Sequence, residues 1–277
     1  MADRLHETRL GTRVRVWTLG GERLETSYGA NCTAVAGSDA VLLVDPLIAP
    51  THARLVADEV RAWTDRPVRF VVLTHHHTDH ALGAGWFAAR GATVVAHRAC
   101  RLAMAAEHPE LVRARRLVPD LALLFRDAEP YEPSLVLESD EWRADLGGTR
   151  VRVRHTGPGH TPGDLVAWLE DESVTVCGDL VSVRYHVNYE NAALDRLERG
   201  LEELRRFDAG TFVPGHGAVG SREILEHQLS YHREVAEAAS GGYPAEGIER
   251  LRARYPGYRL EELLPQSIAR WGKRSDA

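Results

Sequence analysis

At 277 residues, with 44% hydrophobic and 27% charged positions and a formal net charge of −6, the chain can bury one large α/β core or two small ones. The acidic balance gives no electrostatic footprint for nucleic acid or an anionic membrane. No run reaches the ~18 apolar residues of a membrane span, and the charged start, MADRLHETRLGTRVRV, has no apolar signal core. A cytoplasmic protein acting on a small-molecule or carrier-bound substrate is expected. Cys32, Cys100 and Cys177 lie far apart and outside any CxxC spacing, so they read as buried free thiols.

In chain order, TRVRVW (12–17) alternates and predicts a half-exposed strand with valines inward and arginines outward. AVLLVD (40–45) is continuously apolar, as for a strand covered on both faces. Thr51 is then a candidate N-cap for a helix whose Leu55, Val56, Val60 and Trp63 share one face. Two more buried strands follow at 69–74 and 93–97. Residues 98–133 are long for a connection and read either as a lid over a site or as a packing elaboration. TRVRVR (149–154) predicts a second half-exposed strand, and SVTVCGD (173–179) a buried one. Asn191 is read as the cap of a helix carrying Leu194, Leu197, Leu201, Leu204 and Phe207. Ser221 opens another, with Ile224, Leu225, Leu229 and Val235 as its stripe. No linker, repeat or charge run divides the chain, so 1–277 reads as one layered domain with a helical appendage at about 240–277.

The chemistry concentrates in THHHTDH (74–80), which follows RFVVL and so leaves the C-terminal end of a buried strand, where open α/β sheets place their ligands. His75, His77 and Asp79 alternate to one side, and His80 needs a turn to join them. Such an HxHxDH set suits zinc or iron and can hold two ions if other segments complete each shell. Three such segments appear, each a polar side chain on a glycine-containing turn: His160 in HTGPGHTPGD, Asp179 in VTVCGDL and His216 in FVPGHG. His76 alternates away from the set, and His97, His155 and His232 belong to no motif; these four read as structural or solvated.

With these motifs the chain resembles the metallo-β-lactamase superfamily over roughly residues 31–217. The resemblance implies an αββα sandwich: two mixed β-sheets packed face to face, helices outside, and a two-metal site at the sheets' edge. It implies that His75, His77 and His160 hold one divalent ion, that Asp79, His80 and His216 hold the other, and that Asp179 bridges them. Zinc is the default ion, with iron or manganese compatible with the donors. Asp45 matches a supporting aspartate behind the metal loop, with an ordinary strand-end cap as its competing role, and Thr161 and Asp164 match loop stabilisers. Tyr185, His186, Tyr189 and Asn191 lie on a segment expected along the mouth and are candidate pocket residues, with aromatic packing, or for Asn191 helix capping, as the competing role.

Two such ions ~3.5 to 4 Å apart share a water, lower its pKa from ~15.7 towards ~7 and aim the bridging hydroxide at a carbonyl. Asp79 and Asp179 are the expected catalytic carboxylates, and no GxSxG elbow competes. The implied activity is hydrolysis of an ester-like acyl bond, thioesters first, then lactones or esters. Asp179 stands where zinc β-lactamases carry Cys or Ser, which disfavours lactam hydrolysis. His77 stands where flavodiiron proteins carry Glu, and Ser182 where quorum-sensing lactonases commonly carry Tyr. Glyoxalase II shares all seven ligands. The alternatives are a polyketide cyclase, a persulfide dioxygenase using a single iron on the first histidine set, and a β-lactamase.

Overall fold

The apolar runs assemble into two mixed sheets in a computed structural model that describes residues 4–241 and 243–275. The larger sheet runs in sequence order: β1 (His6–Leu10), β2 (Val14–Thr18), β3 (Asn31–Ala36), β4 (Val41–Val44), β5 (Val68–Val72), β6 (Thr93–His97) and β7 (Leu135–Leu137). Pairing is antiparallel as far as β4 and parallel beyond it. The second sheet contains β8 (Glu141–Asp145), β9 (Arg150–His155), β10 (Leu165–Leu169), β11 (Val174–Ser182) and β12 (Thr211–His216) in the reverse spatial order, with only β11 and β12 parallel.

Strand alternation sorts the core into layers. Leu42, Val44, Val72 and Val95 face Val151, Val153, Leu165 and Val176 between the sheets. Val41, Leu43, Val71 and Val94 point the other way, against Val56 and Val60 of α1 (Pro50–Trp63) and Cys100 and Met104 of α4 (Arg98–Arg116). Covering both faces requires the continuous apolar reading of β4 to β6, and each such side chain contributes about 1.5–3 kcal/mol on burial. Outside the second sheet, Leu201 and Leu204 of α6 (Leu197–Arg205) and Leu225 of α7 (Glu223–Ser240) cover Val166 and Val181. Short helices α2 (Thr78–Ala81), α3 (Ala84–Ala88) and α5 (Pro119–Phe125) fill the connections of the first half. At the other end, α8 (Pro244–Arg254) and α9 (Leu264–Ser275) pack on α7 through Val235, Leu251, Leu264 and Ile268. Residues 242, 276 and 277 of the expected appendage lie outside the described residues.

Several local expectations need correction. Arg15 does not face solvent: it is buried beside Glu7 (3.1 Å) with its guanidinium over the Trp63 ring, because β1 and the end of α1 cover that edge. Ala49, not Thr51, is the N-cap of α1, since Pro50 occupies the first turn, where its fixed φ and missing N–H cost nothing. Helix α6 begins at Leu197, so Asn191 caps nothing and is free for another role. Strand β11 continues through Asp179 to Ser182, with a register shift that re-pairs Ser182 with His216. The three cysteines are buried and free, as read from the sequence.

Two glycines permit this crossing of β11 and β12. Gly178 has φ +55° and a Cβ there would lie 2.7 Å from the Thr74 side chain; a Cβ at Gly215 would collide with Asp179 Oδ1. Gly215→Ala is therefore expected to cost about 1–3 kcal/mol by overpacking and to displace the Asp179 carboxylate. Chemical denaturation paired with metal content measures both; an unchanged metal content would place Asp179 outside the centre.

Candidate metal centre

Four segments deliver the seven donors to one end of the sandwich. The turn after β5 carries His75 and His77 and enters α2, which adds Asp79 and His80; the β9–β10 loop supplies His160, β11 supplies Asp179, and the last residue of β12 is His216. His75, His77, His160 and Asp179 form one group of converging donors, and Asp79, His80 and His216 another, each with its atoms within 4.8 Å of one another. Asp179 touches both. Its Oδ2 lies 3.5 Å from His160 Nε2, 3.9 Å from His75 Nε2 and 3.4 Å from His216 Nε2, and its Oδ1 lies 3.2 Å from His80 Nε2.

The outer nitrogens of four imidazoles are occupied, which decides what the inner ones present. His80 Nδ1 meets Asp45 Oδ2 (3.0 Å), and His75 Nδ1 meets Thr74 Oγ1 (2.9 Å), a hydroxyl that already donates to Asp45 Oδ2 (2.6 Å). His216 Nδ1 meets the Tyr28 carbonyl (3.1 Å), and His77 Nε2 meets Asn191 Oδ1 (2.9 Å). Each acceptor takes the ring N–H, so the remaining nitrogen turns a lone pair inward. His77 Nδ1 then sits 3.0 Å from both His75 Nε2 and His160 Nε2, and His80 Nε2 sits 3.3 Å from His216 Nε2. Lone pairs crowded this closely repel unless a cation or a proton lies among them, and Asp179 Oδ1 is buried without a hydrogen bond. The donors therefore fit divalent metal ions.

Electrostatics separates the two groups. Burial pushes His75 well below the ordinary imidazole range and His160 down to about 3, so both are neutral ligands in waiting. Burial opposes charge on His80 and His216 as well, but Asp179 and Asp79 outweigh it, and His216 is raised to about 9. Reciprocally, the imidazoles of His80 and His216 overcome the burial of Asp79 and Asp179 and hold both carboxyls well below their usual range.

Support comes from behind. Asp45 is 2% exposed, at φ +57°, and accepts from the Thr74 N–H and hydroxyl as well as from His80, which ties the end of β4 to the 74–80 turn. Asp164 accepts from the Thr161 N–H (2.9 Å) and hydroxyl (2.6 Å) and closes the loop under His160, while burial lifts its carboxyl to about 7.

The donors open into a cavity of about 370 Å³. One face of α4, Glu107, Leu111 and Arg115 at successive i, i+4 positions, forms a wall; Tyr28, His186 and the segment around Leu260 and Leu263 form others. Of the expected pocket tyrosines neither lines this cavity. Tyr189 is fully buried with its hydroxyl on His232 Nδ1 (2.7 Å), and Tyr185 turns behind His216, its hydroxyl donating to the Gly21 carbonyl (2.6 Å). His186 does line it, with Nδ1 on the Tyr231 hydroxyl. His76 is buried beside Glu107 and is not solvated. His97 stacks on His155 at 3.9 Å, so these two partner each other. Asn191, a candidate pocket residue with helix capping as its competing role, lines the cavity and meets His77; Tyr28 and Arg115 line it as well, and no sequence motif singles them out.

A family model described as the metallo-β-lactamase superfamily matches residues 26–216. The hydroxyacylglutathione hydrolase of Acidiphilium cryptum is 34% identical over 79% of this chain and 75% of its own length. That of Methylococcus capsulatus is 29% identical over 64% of this chain, and the match spans only 57% of the relative. Among solved structures, a metallo-β-lactamase from Pontibacter korlensis superposes with a TM-score of 0.69 at 20% identity, covering 83% of this chain and 99% of that one, a likeness of fold. With the two mixed sheets, the converging donors and a family match over most of its length, the chain belongs to the metallo-β-lactamase superfamily.

Proposed function

We propose that the protein is a dinuclear metal-dependent hydrolase of acyl thioesters, with lactones and oxyesters as secondary substrates and zinc as the resident ion. The observation that carries this reading is the position of Asp179, whose two oxygens face both donor groups at once. His75, His77 and His160 would hold one ion, Asp79, His80 and His216 the other, and Asp179 both. Bound there, such ions supply a water of lowered pKa and positive charge for a developing oxyanion. The two hydroxyacylglutathione hydrolases, named for a thioester substrate, support the same reading.

The protein's own groups orient and move protons. Asp45, Thr74, Asn191 and the Tyr28 carbonyl fix four ring tautomers, so the donors are set before any ligand arrives. Asp79 lines the cavity with Oδ2 held 3.3 Å from His216 Nε2 and 3.5 Å from His80 Nε2; as a carboxylate kept ionised, it can take a proton from the attacking water and pass it to the leaving atom. A thiolate leaves with little such help, whereas an amide nitrogen needs full protonation. Asp179 also lines the cavity as an ionised carboxylate but joins the two donor groups, which leaves Asp79 to carry the proton; a thiolate asks least of that single group, and this ranks thioesters ahead of amides. The complete second donor group favours two ions over the single-iron alternative.

Metal-replete protein is expected to hold about two ions per chain, falling towards one in Asp179→Ser with the fold intact; elemental analysis decides, and wild-type protein that never exceeds one ion overturns the dinuclear reading. The two ions should differ in pH dependence. Asp79 and Asp179 hold protons on both His80 and His216, the latter up to about pH 9, and these must leave as the second ion binds, so that affinity should rise at least about tenfold per pH unit between pH 6 and 8. His75 and His160 are already neutral there, so the first ion's affinity should stay nearly flat. Competition with a chromophoric chelator separates the two, and equal slopes would refute the assignment. Thiol release from short and aromatic acyl thioesters should require metal and fall at least ~100-fold in His77→Ala. Cyclisation of a poly-β-ketone without release from any acyl ester would replace this reading by the cyclase.

A further inference from the structure

Arg115 is the one arginine or lysine among the described residues lining the cavity. Its neighbours on α4 are ion-paired, Arg113 with Glu110 (2.7 Å) and Arg116 with Glu129 (2.6 Å), but among the described residues no carboxylate lies in ion-pair contact with Arg115, whose charge Asp79 favours only from farther off. Half-buried, it spends Nη1 on the Thr78 hydroxyl (2.9 Å) and lays its plane near the Phe125 ring (5.0 Å). A guanidinium offers five donors in a rigid fork, and most of this one's donors have no protein partner. Burial pulls its pKa down, the sign of a charge that the fold holds without fully compensating. Glu107, Glu190 and Glu262 line the same wall, so among the charged side chains of the rim Arg115 is the one that attracts an anion.

Thr78 stands between the ligands His77 and Asp79, which places the fork one residue from the metal centre. Resting on the hydrolase reading above, we propose that Arg115 is the specificity-determining anchor for an anionic acyl group: the substrate is a thioester or ester whose acyl part carries a carboxylate within a few bonds of the reacting carbonyl. The fork accepts that carboxylate in a paired, charge-assisted contact, with the Tyr28 side chain as the adjacent wall. Leu111, on the same helix face one turn earlier, supplies apolar surface for the methylenes between. A neutral acyl chain of equal length leaves the guanidinium unpaired and binds less well.

The test is equilibrium binding of succinate and of butyrate, which share a four-carbon chain and differ by one carboxylate, to metal-loaded protein at pH 7.5 by calorimetry. Wild-type protein is expected to prefer succinate by about 10- to 100-fold, the range for one hydrogen-bonded charge contact. The preference should collapse towards unity in Arg115→Gln and recover in part in Arg115→Lys, which restores charge without the fork. A preference unchanged in Arg115→Gln, or absent in wild-type protein, overturns the proposal. So does an equal loss of both ligands with a lowered melting temperature, which would make Arg115 a tether of the Thr78 turn. A parallel thiol-release assay with butyryl and succinyl thioesters keeps the two readings apart: no release from either while the succinate preference persists would sink the hydrolase and leave the anion site standing.

Discussion

The Asp45 carboxylate is the interaction on which the rest of the centre depends. It sits at the end of β4 in a left-handed backbone conformation that a non-glycine residue adopts at a cost of order 1–3 kcal/mol, fully desolvated, and its charge opposes that burial. The compensation is three hydrogen bonds, two to Thr74 and one to His80. These join neighbouring parallel strands at their C-terminal ends and at the same time choose the tautomers of His75 and His80. An apolar residue at 45 would leave the Thr74 N–H and hydroxyl and the His80 ring without their acceptor, and the inward lone pairs would no longer be enforced. One buried charge thus turns strand geometry into donor geometry.

The chemistry of the centre was legible because it is encoded by short-range spacing at strand ends. HxHxDH, GD and PGHG follow apolar runs, GHT follows an alternating one, and the parallel β4–β5 and β11–β12 pairs together with the antiparallel β9–β10 turn bring them to one end. The sheets were legible for the same reason, since burial on both faces leaves an unbroken apolar string. Helix starts were less so. Thr51 has the right side chain for a cap, but Pro50 had already set the first turn; Asn191 has the right side chain too, but its oxygen is claimed by His77 across 114 positions of sequence. Competition of this kind is decided by tertiary contact, which local propensity does not contain. Arg15 is the same lesson for a strand: alternation predicts its direction but not the edge that covers it.

The cavity walls were the least legible part, and their origin explains why. Tyr28 belongs to a 3₁₀ turn at 24–29, Asn191 to an irregular stretch, and Glu107, Leu111 and Arg115 to a helix that sequence patterning alone leaves ambiguous between lid and packing. Ser27 donates its hydroxyl to the Asp79 carbonyl and Tyr28 accepts from His216, so the 24–29 turn touches the second donor group twice. Nothing in TSYG announces this.

Ligands and walls are thereby carried by different structures. The donors ride on strand ends held by the inter-sheet core, where a shift of any one strand would disturb many buried neighbours. The walls ride on α4 and on the segment before α9, whose side chains meet the cavity from outside the sheets. Substitutions along the 107–111–115 face would change the charge and shape of that wall and reach the 74–80 turn through Arg115 on Thr78 and Glu107 on His76, away from the Asp45 contacts, the Asn191 contact and the His80–His216 pair. Such a separation would let the donor geometry stay tightly specified while the α4 wall varied. It also points to α4 as the place to look for selectivity, where Arg115 faces an otherwise acidic rim.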